Sequence, residues 1–245
     1  MTDFIRGFKY LLSGFALIRQ PGVRLYVIIP LLINALLFAG AIIYGAGQMG
    51  DLMAWLTAKW QWLEWLSWLL WPLFVIIILT VVFFSFSIVA NLLAAPFNGF
   101  LAQAVEQRLR GAQPVESGGI AALPQQIIDG IKSEFHKFLY FLIRVIPLLL
   151  LFVIPLVMTA APFIWFLFGA WMFALEYLEF PMGNHGLLFH EVRSTIRTRR
   201  RLSFGFGIGV MLLTMIPVVN FLAMPVAVAG ATRLWIENFV DNGGE

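Results

Sequence analysis

The sequence predicts an all-α integral membrane protein with one interfacial amphipathic helix, two transmembrane helices and two proline-broken helical hairpins that penetrate the membrane partway. Hydrophobic residues fill 61% of the 245 positions and charged residues only 12%, too few to cover a water-soluble domain. Four runs of 26 to 41 residues carry no charge, whereas about 20 apolar residues suffice to cross a bilayer. Most basic residues lie between these runs, as expected for cytoplasmic segments.

Residues 1–20 are predicted to form the interfacial helix. Apolar side chains recur there at three- and four-residue spacing, with Asp3, Arg6 and Lys9 on the opposite side. The apolar positions are Phe4, Phe8, Leu11, Phe15 and Ile18. The same charges interrupt any signal-peptide core, so we expect this segment to stay on the mature protein.

Residues 25–50 are predicted to form the first span and residues 71–94 the second. The segment 51–64 between them is short and rich in tryptophan, which is typical of an interfacial aromatic belt outside the cytoplasm. The uncharged run 65–105 fits one span with a long extension better than two spans without a polar turn. Pro96 to Gly99 is expected to bend the chain at the inner end of the second span.

Residues 98–144 are predicted to form cytoplasmic polar helices, because the part from 106 to 144 holds nine charged residues, more than any other segment between the uncharged runs. Five basic residues lie between positions 106 and 144, and turn-forming residues at 113–119 predict a loop between two helices.

Residues 145–175 and 202–232 are each predicted to form a partially penetrating hairpin. Each run contains an Ile-Pro pair, at Ile154-Pro155 and Ile216-Pro217, followed by another proline seven or eight residues later. A straight 31-residue helix would be about 46 Å long, whereas two arms of 10–15 residues rise only about 15–22 Å each. The shared pattern indicates a weak internal repeat.

The basic segments support this topology. Residues 176–201 carry five arginines, and a single crossing on either side would leave these arginines outside the cell. Partial hairpins keep every basic segment and both termini in the cytoplasm. Irregular backbone at membrane depth is tolerated where it is buried in protein or lines a watery cavity, so the hairpins also indicate a pathway.

The stretch Gln20–Tyr26 is a candidate anion site. Pro21-Gly22 ends the first helix, and a helix starting beside Gly22 would present unpaired N–H groups next to the Arg24 guanidinium. The alternative is an arginine that only anchors the span at the lipid headgroups.

Other motifs do not indicate an enzyme, a cofactor or a metal. His190-Glu191 has Ser194 where a zinc-protease motif requires histidine. The glycines between Gly205 and Gly209 open an apolar run and favour close helix packing over phosphate binding. The arginines at 197–201 favour anionic lipid over nucleic acid. The remaining classes are a carrier, a channel or a membrane scaffold.

Several strings in their order and spacing resemble the CysZ family of bacterial sulfate permeases, and the similarity covers nearly the whole chain. These strings are Pro21-Gly22-Val23-Arg24, Ala94 to Gly99, Trp165 to Met172, Asn184-His185, and Thr214 to Thr232. The resemblance implies sulfate uptake across the bacterial inner membrane for cysteine biosynthesis. It also implies a homo-oligomer without a nucleotide-hydrolysing subunit.

The family's sulfate-binding Gly-Leu/Ile-Arg-Arg motif corresponds here to Gly22, Val23, Arg24 and Leu25. Leu25 departs from the motif, because it cannot supply the second guanidinium. We therefore expect either weaker binding or a cation from elsewhere, with Arg19 and Lys9 as candidates.

Asn98, Glu106 and Arg110, at the inner end of the second span, are candidates for a polar pathway or gate. The alternative for these residues is an ordinary surface salt bridge and a turn asparagine. The leading functional hypothesis is a sulfate channel or facilitator. The alternative is a membrane scaffold or lipid-interacting protein without transport activity.

Overall fold

The computed structural model describes residues 2–59, 65, 67–111 and 123–240, and within these ranges the chain is helical without strands. The predicted all-α class is therefore confirmed. The described helices are α1 (Thr2–Leu17), α2 (Leu25–Lys59), α3 (Ser67–Arg110), α4 (Leu123–Leu151), α5 (Ala161–Asn184), α6 (Phe189–Thr198), α7 (Arg200–Thr214) and α8 (Pro217–Asn238). The end of the tryptophan-rich segment, at 60–64, and the predicted loop at 113–119 lie outside the described residues.

The chain divides into two compact units, and the smaller comprises Val27–Phe97. Within it, α2 continues unbroken through Pro30, and much of its apolar surface is exposed. By length and composition, Leu25–Leu52 could cross a membrane, and this segment includes the first predicted span. The second predicted span lies within α3, which continues through the Pro96–Gly99 segment to Arg110.

The larger unit comprises Met1–Tyr26 and Asn98–Glu245, and its core is built around α1, α5, α7 and α8. Glycines allow these helices to approach at backbone distance. A Cβ at Gly7 of α1 would clash with the carbonyl of Leu202 in α7, and a Cβ at Gly205 of α7 would clash with the carbonyl of Phe4 in α1. The predicted packing role of the glycine-rich start of the 202–232 run is confirmed.

The face of α1 that packs into this unit differs from the predicted apolar stripe. Of the predicted positions, Leu11 and Ile18 are buried, Phe8 and Phe15 are half-buried, and Phe4 is exposed. The buried positions instead include Gly7 and Gly14, where the close approach of α7 and α8 leaves no room for a side chain. Tyr10 is also buried, and its hydroxyl donates to Glu237 of α8. The interfacial position of α1 remains a prediction.

Each proline-broken run forms two helices joined by a turn. Residues 152–160 connect α4 to α5 and contain Ile154-Pro155, whereas Ile216-Pro217 lies at the junction of α7 and α8. Proline is tolerated in the first turn of a helix, where its missing N–H has no intrahelical acceptor. By length and composition, Ala161–Asn184 and Pro217–Asn238 could also cross a membrane. Partial penetration of the two hairpins therefore remains a prediction.

A polar cluster joins α4 to α5 and α6. Lys137 Nζ lies 3.1 Å from the carboxylate of Glu176 and 2.9 Å from that of Glu179. Burial lowers the pKa of Lys137, but these carboxylates outweigh it and raise the pKa above its ordinary value. Ser133 donates to Glu179 and accepts the N–H of Phe189, which fixes the start of α6 beside α4.

Candidate anion site

The connection between α1 and α2 is a turn that requires glycine at one position. Gly22 has a φ of 89°, a conformation that L side chains rarely adopt. Space alone does not exclude a side chain there, because nothing lies within 4 Å of a Cβ built at Gly22. The need for glycine therefore comes from its positive-φ backbone conformation in the turn before α2.

The turn uses some of its backbone donors internally. The carbonyl oxygen of Gln20 accepts the N–H groups of both Val23 and Arg24, each at 3.1 Å, and Val23 is buried. The N–H of Gly22 donates to no acceptor within the described ranges. The N–H of Val23 is therefore engaged within the turn, whereas that of Gly22 is available to an anion in this conformation.

Arg24 extends from this turn as an exposed side chain. Its guanidinium has neither an ion pair nor a side-chain hydrogen bond with any residue that the structure describes. Leu25 beside it is also exposed, at 55% of its reachable surface. An unpaired guanidinium and a free N–H in the same turn are groups that suit an oxyanion.

A second guanidinium reaches the same turn from α3. Arg108 Nε donates to the side-chain oxygen of Gln20 at 3.1 Å. Sequence reasoning missed Arg108, because it lies 88 residues from Gln20 and no spacing rule connects them. Of the two cations suggested by the sequence, Lys9 lines a separate cavity with Arg233. Arg19 is exposed in the connection itself.

The candidate pathway residues form two separate contacts. Glu106 is only 5% exposed, and its carboxylate lies 2.9 Å from His185 Nε2 and 3.4 Å from Arg110. Asn98 instead donates to the sulfur of Met224 at 3.2 Å. The structure thus brings Glu106 and Arg110 together and adds His185, but Asn98 has a different partner.

His185 is held in place from two directions. It caps the C-terminus of α5, and its ring lies 4.5 Å from the indole of Trp235. The neighbouring Asn184 donates to the carbonyl of Gly99 at 2.9 Å. The Asn184-His185 pair therefore joins the end of α5 to α3, a role that local sequence periodicity does not reveal.

Replacing Glu106 should destabilise the protein more than replacing Arg110. In Glu106→Ala, His185 and Arg110 both lose their shared partner at a buried position, which should cost about 2 kcal/mol or more of unfolding free energy. Arg110 is half-exposed and its ion pair is long, so Arg110→Ala should cost less than about 1 kcal/mol. Denaturation of the purified variants in detergent measures both values. Equal losses of unfolding free energy in the two variants would contradict a stabilising contribution of the contact between His185 and Glu106.

No group of three or more potential metal ligands occurs among the residues described by the structure. Glu191, part of the incomplete zinc motif, accepts the N–H of Leu188 at 2.8 Å and so caps the start of α6. Glu191 therefore has a structural role, as the residue that caps the start of α6.

The long apolar helices place the chain in the class of α-helical membrane proteins. Residues 10–225 match the family model described as sulfate transporter CysZ/etoposide-induced protein 2.4. The match covers most of the chain, and the protein belongs to this family of transporters. The resemblance seen in the sequence is thereby confirmed.

Proposed function

We propose that this protein conducts sulfate across the bacterial inner membrane into the cytoplasm, where the sulfate supplies sulfur for cysteine biosynthesis. Membership of the sulfate transporter family supports transport of this anion. The observation that carries the proposed site is the Arg24 guanidinium, which is exposed and unpaired among the described residues. In this proposal Arg24 binds the anion at the cytoplasmic end of the pathway, because its turn precedes the first span on the same side of the membrane as the N-terminus.

The chemistry of sulfate fits the turn between α1 and α2. Sulfate is a hydrated dianion, so a selective site must replace its water with hydrogen-bond donors. Arg24 supplies a planar fork of donors, and the Gly22 N–H supplies a fixed one. The side chain of Arg108, fixed by Gln20, adds positive charge that raises the local concentration of anions.

The proposed pathway continues past Glu106, Arg110 and His185, where polar side chains meet inside the larger unit. We propose that the hairpins of several copies surround a passage, with both termini in the cytoplasm and without a nucleotide-hydrolysing subunit. Residues 145–175 and 202–232 would supply the membrane-embedded walls. Such walls would keep irregular backbone away from lipid.

Uptake of radiolabelled sulfate by proteoliposomes tests this function. Purified protein is reconstituted at two protein-to-lipid ratios beside protein-free vesicles, and uptake should rise with protein content and saturate with sulfate concentration. Leakage is monitored with labelled glucose, which should enter both preparations equally. Sulfate uptake no faster than in protein-free vesicles would overturn the proposal and favour a membrane scaffold or lipid-interacting protein.

A further inference from the structure

A cavity of about 610 Å³ opens among α4, α5, α6 and α7 within the larger unit. Its volume lies in the range of about 300–1,000 Å³ that is typical of small-molecule sites. Neither aspartate nor glutamate occurs among its lining residues, and it shares none of them with the turn at Gly22–Leu25. The cavity is therefore a separate site whose only charges are positive.

Four arginines line one part of this cavity: Arg144 from α4, Arg193 and Arg197 from α6, and Arg200 from α7. Two of them stack on one ring. The guanidinium carbons of Arg144 and Arg193 lie 3.6 and 4.5 Å from the centre of the Tyr140 ring. The two cations are thus closer to each other than a Debye length of about 10 Å, and they repel each other.

The Tyr140 ring is itself fixed. Its hydroxyl accepts the indole N–H of Trp171 at 3.0 Å, and its ring packs edge-on against Phe189 at 5.4 Å. This packing holds Arg144 and Arg193 at the cavity although they repel. Attraction of each cation to the ring offsets part of the repulsion.

No carboxylate within the described ranges lies at ion-pair distance from any of the four arginines. A bound anion would therefore relieve their mutual repulsion and accept charge-assisted hydrogen bonds. A phosphodiester satisfies both requirements, because it is anionic and presents several acceptor oxygens.

The rest of the cavity is apolar. Leu148 and Leu151 of α4 face Leu167 of α5 there. The same two helices carry exposed apolar side chains, including Ile146 and Phe163, on the protein surface. Inorganic sulfate or phosphate could occupy the arginines but would leave these walls uncovered, whereas acyl chains would cover them.

We propose that this cavity binds one anionic phospholipid, with the phosphodiester between Arg144 and Arg193 and the acyl chains along the apolar walls of α4 and α5. Basic pockets between membrane helices on the cytoplasmic side are suited to such headgroups. The site ties α4, α5, α6 and α7 together through the lipid. It does not depend on the proposed transport of sulfate.

Native mass spectrometry of delipidated protein tests the site with phosphatidylglycerol and, at the same concentrations, zwitterionic phosphatidylcholine. Wild-type protein should retain one phosphatidylglycerol far more strongly than phosphatidylcholine. Arg144→Gln/Arg193→Gln should bind phosphatidylglycerol about 30-fold more weakly, from about a fivefold loss for each arginine. The matched control, Arg6→Gln/Arg19→Gln, removes two exposed arginines that neither line the cavity nor belong to the 197–201 cluster, and its affinity should change less than about twofold.

A second variant separates lipid from a free anion and does not depend on the fold of the double arginine variant. Leu148→Trp fills the apolar part and leaves all four arginines in place, so it should weaken phosphatidylglycerol binding by about tenfold or more. Equal retention of both lipids, or unchanged binding in both variants, would overturn the proposal. If 10 mM sodium sulfate displaces the bound phosphatidylglycerol and Leu148→Trp does not change lipid binding, the cavity is an inorganic-anion site instead. If the variants differ from wild-type protein in oligomeric mass but not in the lipid that they retain, the cavity is an interface between copies of the chain.

Discussion

Gly207→Leu is expected to prevent the larger unit from folding. Even a Cβ at this position would clash with the backbone carbonyl of Ala170 and press on the side chain of Ala174, both in α5. Backbone cannot turn away as a flexible side chain can, so α7 and α5 would have to separate. Overpacking of an ordinary core position costs about 1–3 kcal/mol, and a branched side chain at a backbone contact should exceed this range.

The expected result for Gly207→Leu is loss of the monodisperse peak in size-exclusion chromatography of detergent-solubilised protein. Gly183→Leu in α5 is the matched control, because nothing lies within 4 Å of a Cβ built there. It should elute and denature like wild-type protein. Gly207→Ala adds a smaller side chain and should have a milder effect. It should keep a detectable folded fraction, with a denaturation midpoint below that of wild-type protein. Normal elution and stability of Gly207→Leu would contradict the close approach of α7 to α5.

Much of this fold follows from the sequence, because charge and proline act locally. The charge-free run from Leu25 predicts a helix long enough to cross a membrane, and α2 provides it. The Ile154-Pro155 and Ile216-Pro217 pairs predict where helices are interrupted, and both lie at helix connections. Proline lacks the N–H that a helix interior requires and so favours a break. The signal is incomplete, because α2, α4, α5 and α8 each continue through another proline, at Pro30, Pro147, Pro181 and Pro225.

The packing of α1 could not be predicted in the same way. An apolar stripe indicates which side of a helix avoids water, but lipid and protein are both apolar surroundings. In α1, Gly7 and Gly14 lie at the contacts with α7 and α8, where a Cβ would clash with backbone. Close approach depends on which helix arrives from elsewhere in the chain, and hydropathy does not report it.

In the candidate anion site, too, the local features could be predicted from the sequence and the tertiary contacts could not. A turn at Pro21-Gly22 is local, and the structure has it, with Gly22 at positive φ. The position of Arg108 beside Gln20 and that of His185 beside Glu106 are tertiary. Each pair is separated by at least 79 residues, so no motif could have connected them.

Sulfate affinity should depend most strongly on Arg24. A hydrogen bond to a charged group contributes about 1.5–3 kcal/mol, so Arg24→Ala should weaken sulfate binding by about 10- to 150-fold. Isothermal titration of detergent-purified protein at low ionic strength measures this change. Arg201→Ala, which also removes an exposed arginine, is the matched control and should bind as wild-type protein does. Equal affinity of Arg24→Ala and wild type would remove Arg24 from the binding site.

A charge-swap experiment tests whether Arg108 supplies the cation that Leu25 cannot. Leu25 is exposed, so Leu25→Arg should fold normally and bind sulfate about tenfold more tightly, because a cation roughly 6 Å from a dianion in water is attracted by about 1.4 kcal/mol. Arg108→Gln should weaken binding by a similar factor, since its guanidinium lies at the same turn through Gln20. If both side chains act on one bound anion, Leu25→Arg/Arg108→Gln should bind within about twofold of wild-type protein.

Arg19→Gln, which removes the alternative cation, should leave affinity unchanged. An Arg108→Gln variant with wild-type affinity, together with a weaker Arg19→Gln variant, would instead assign the second cation to Arg19.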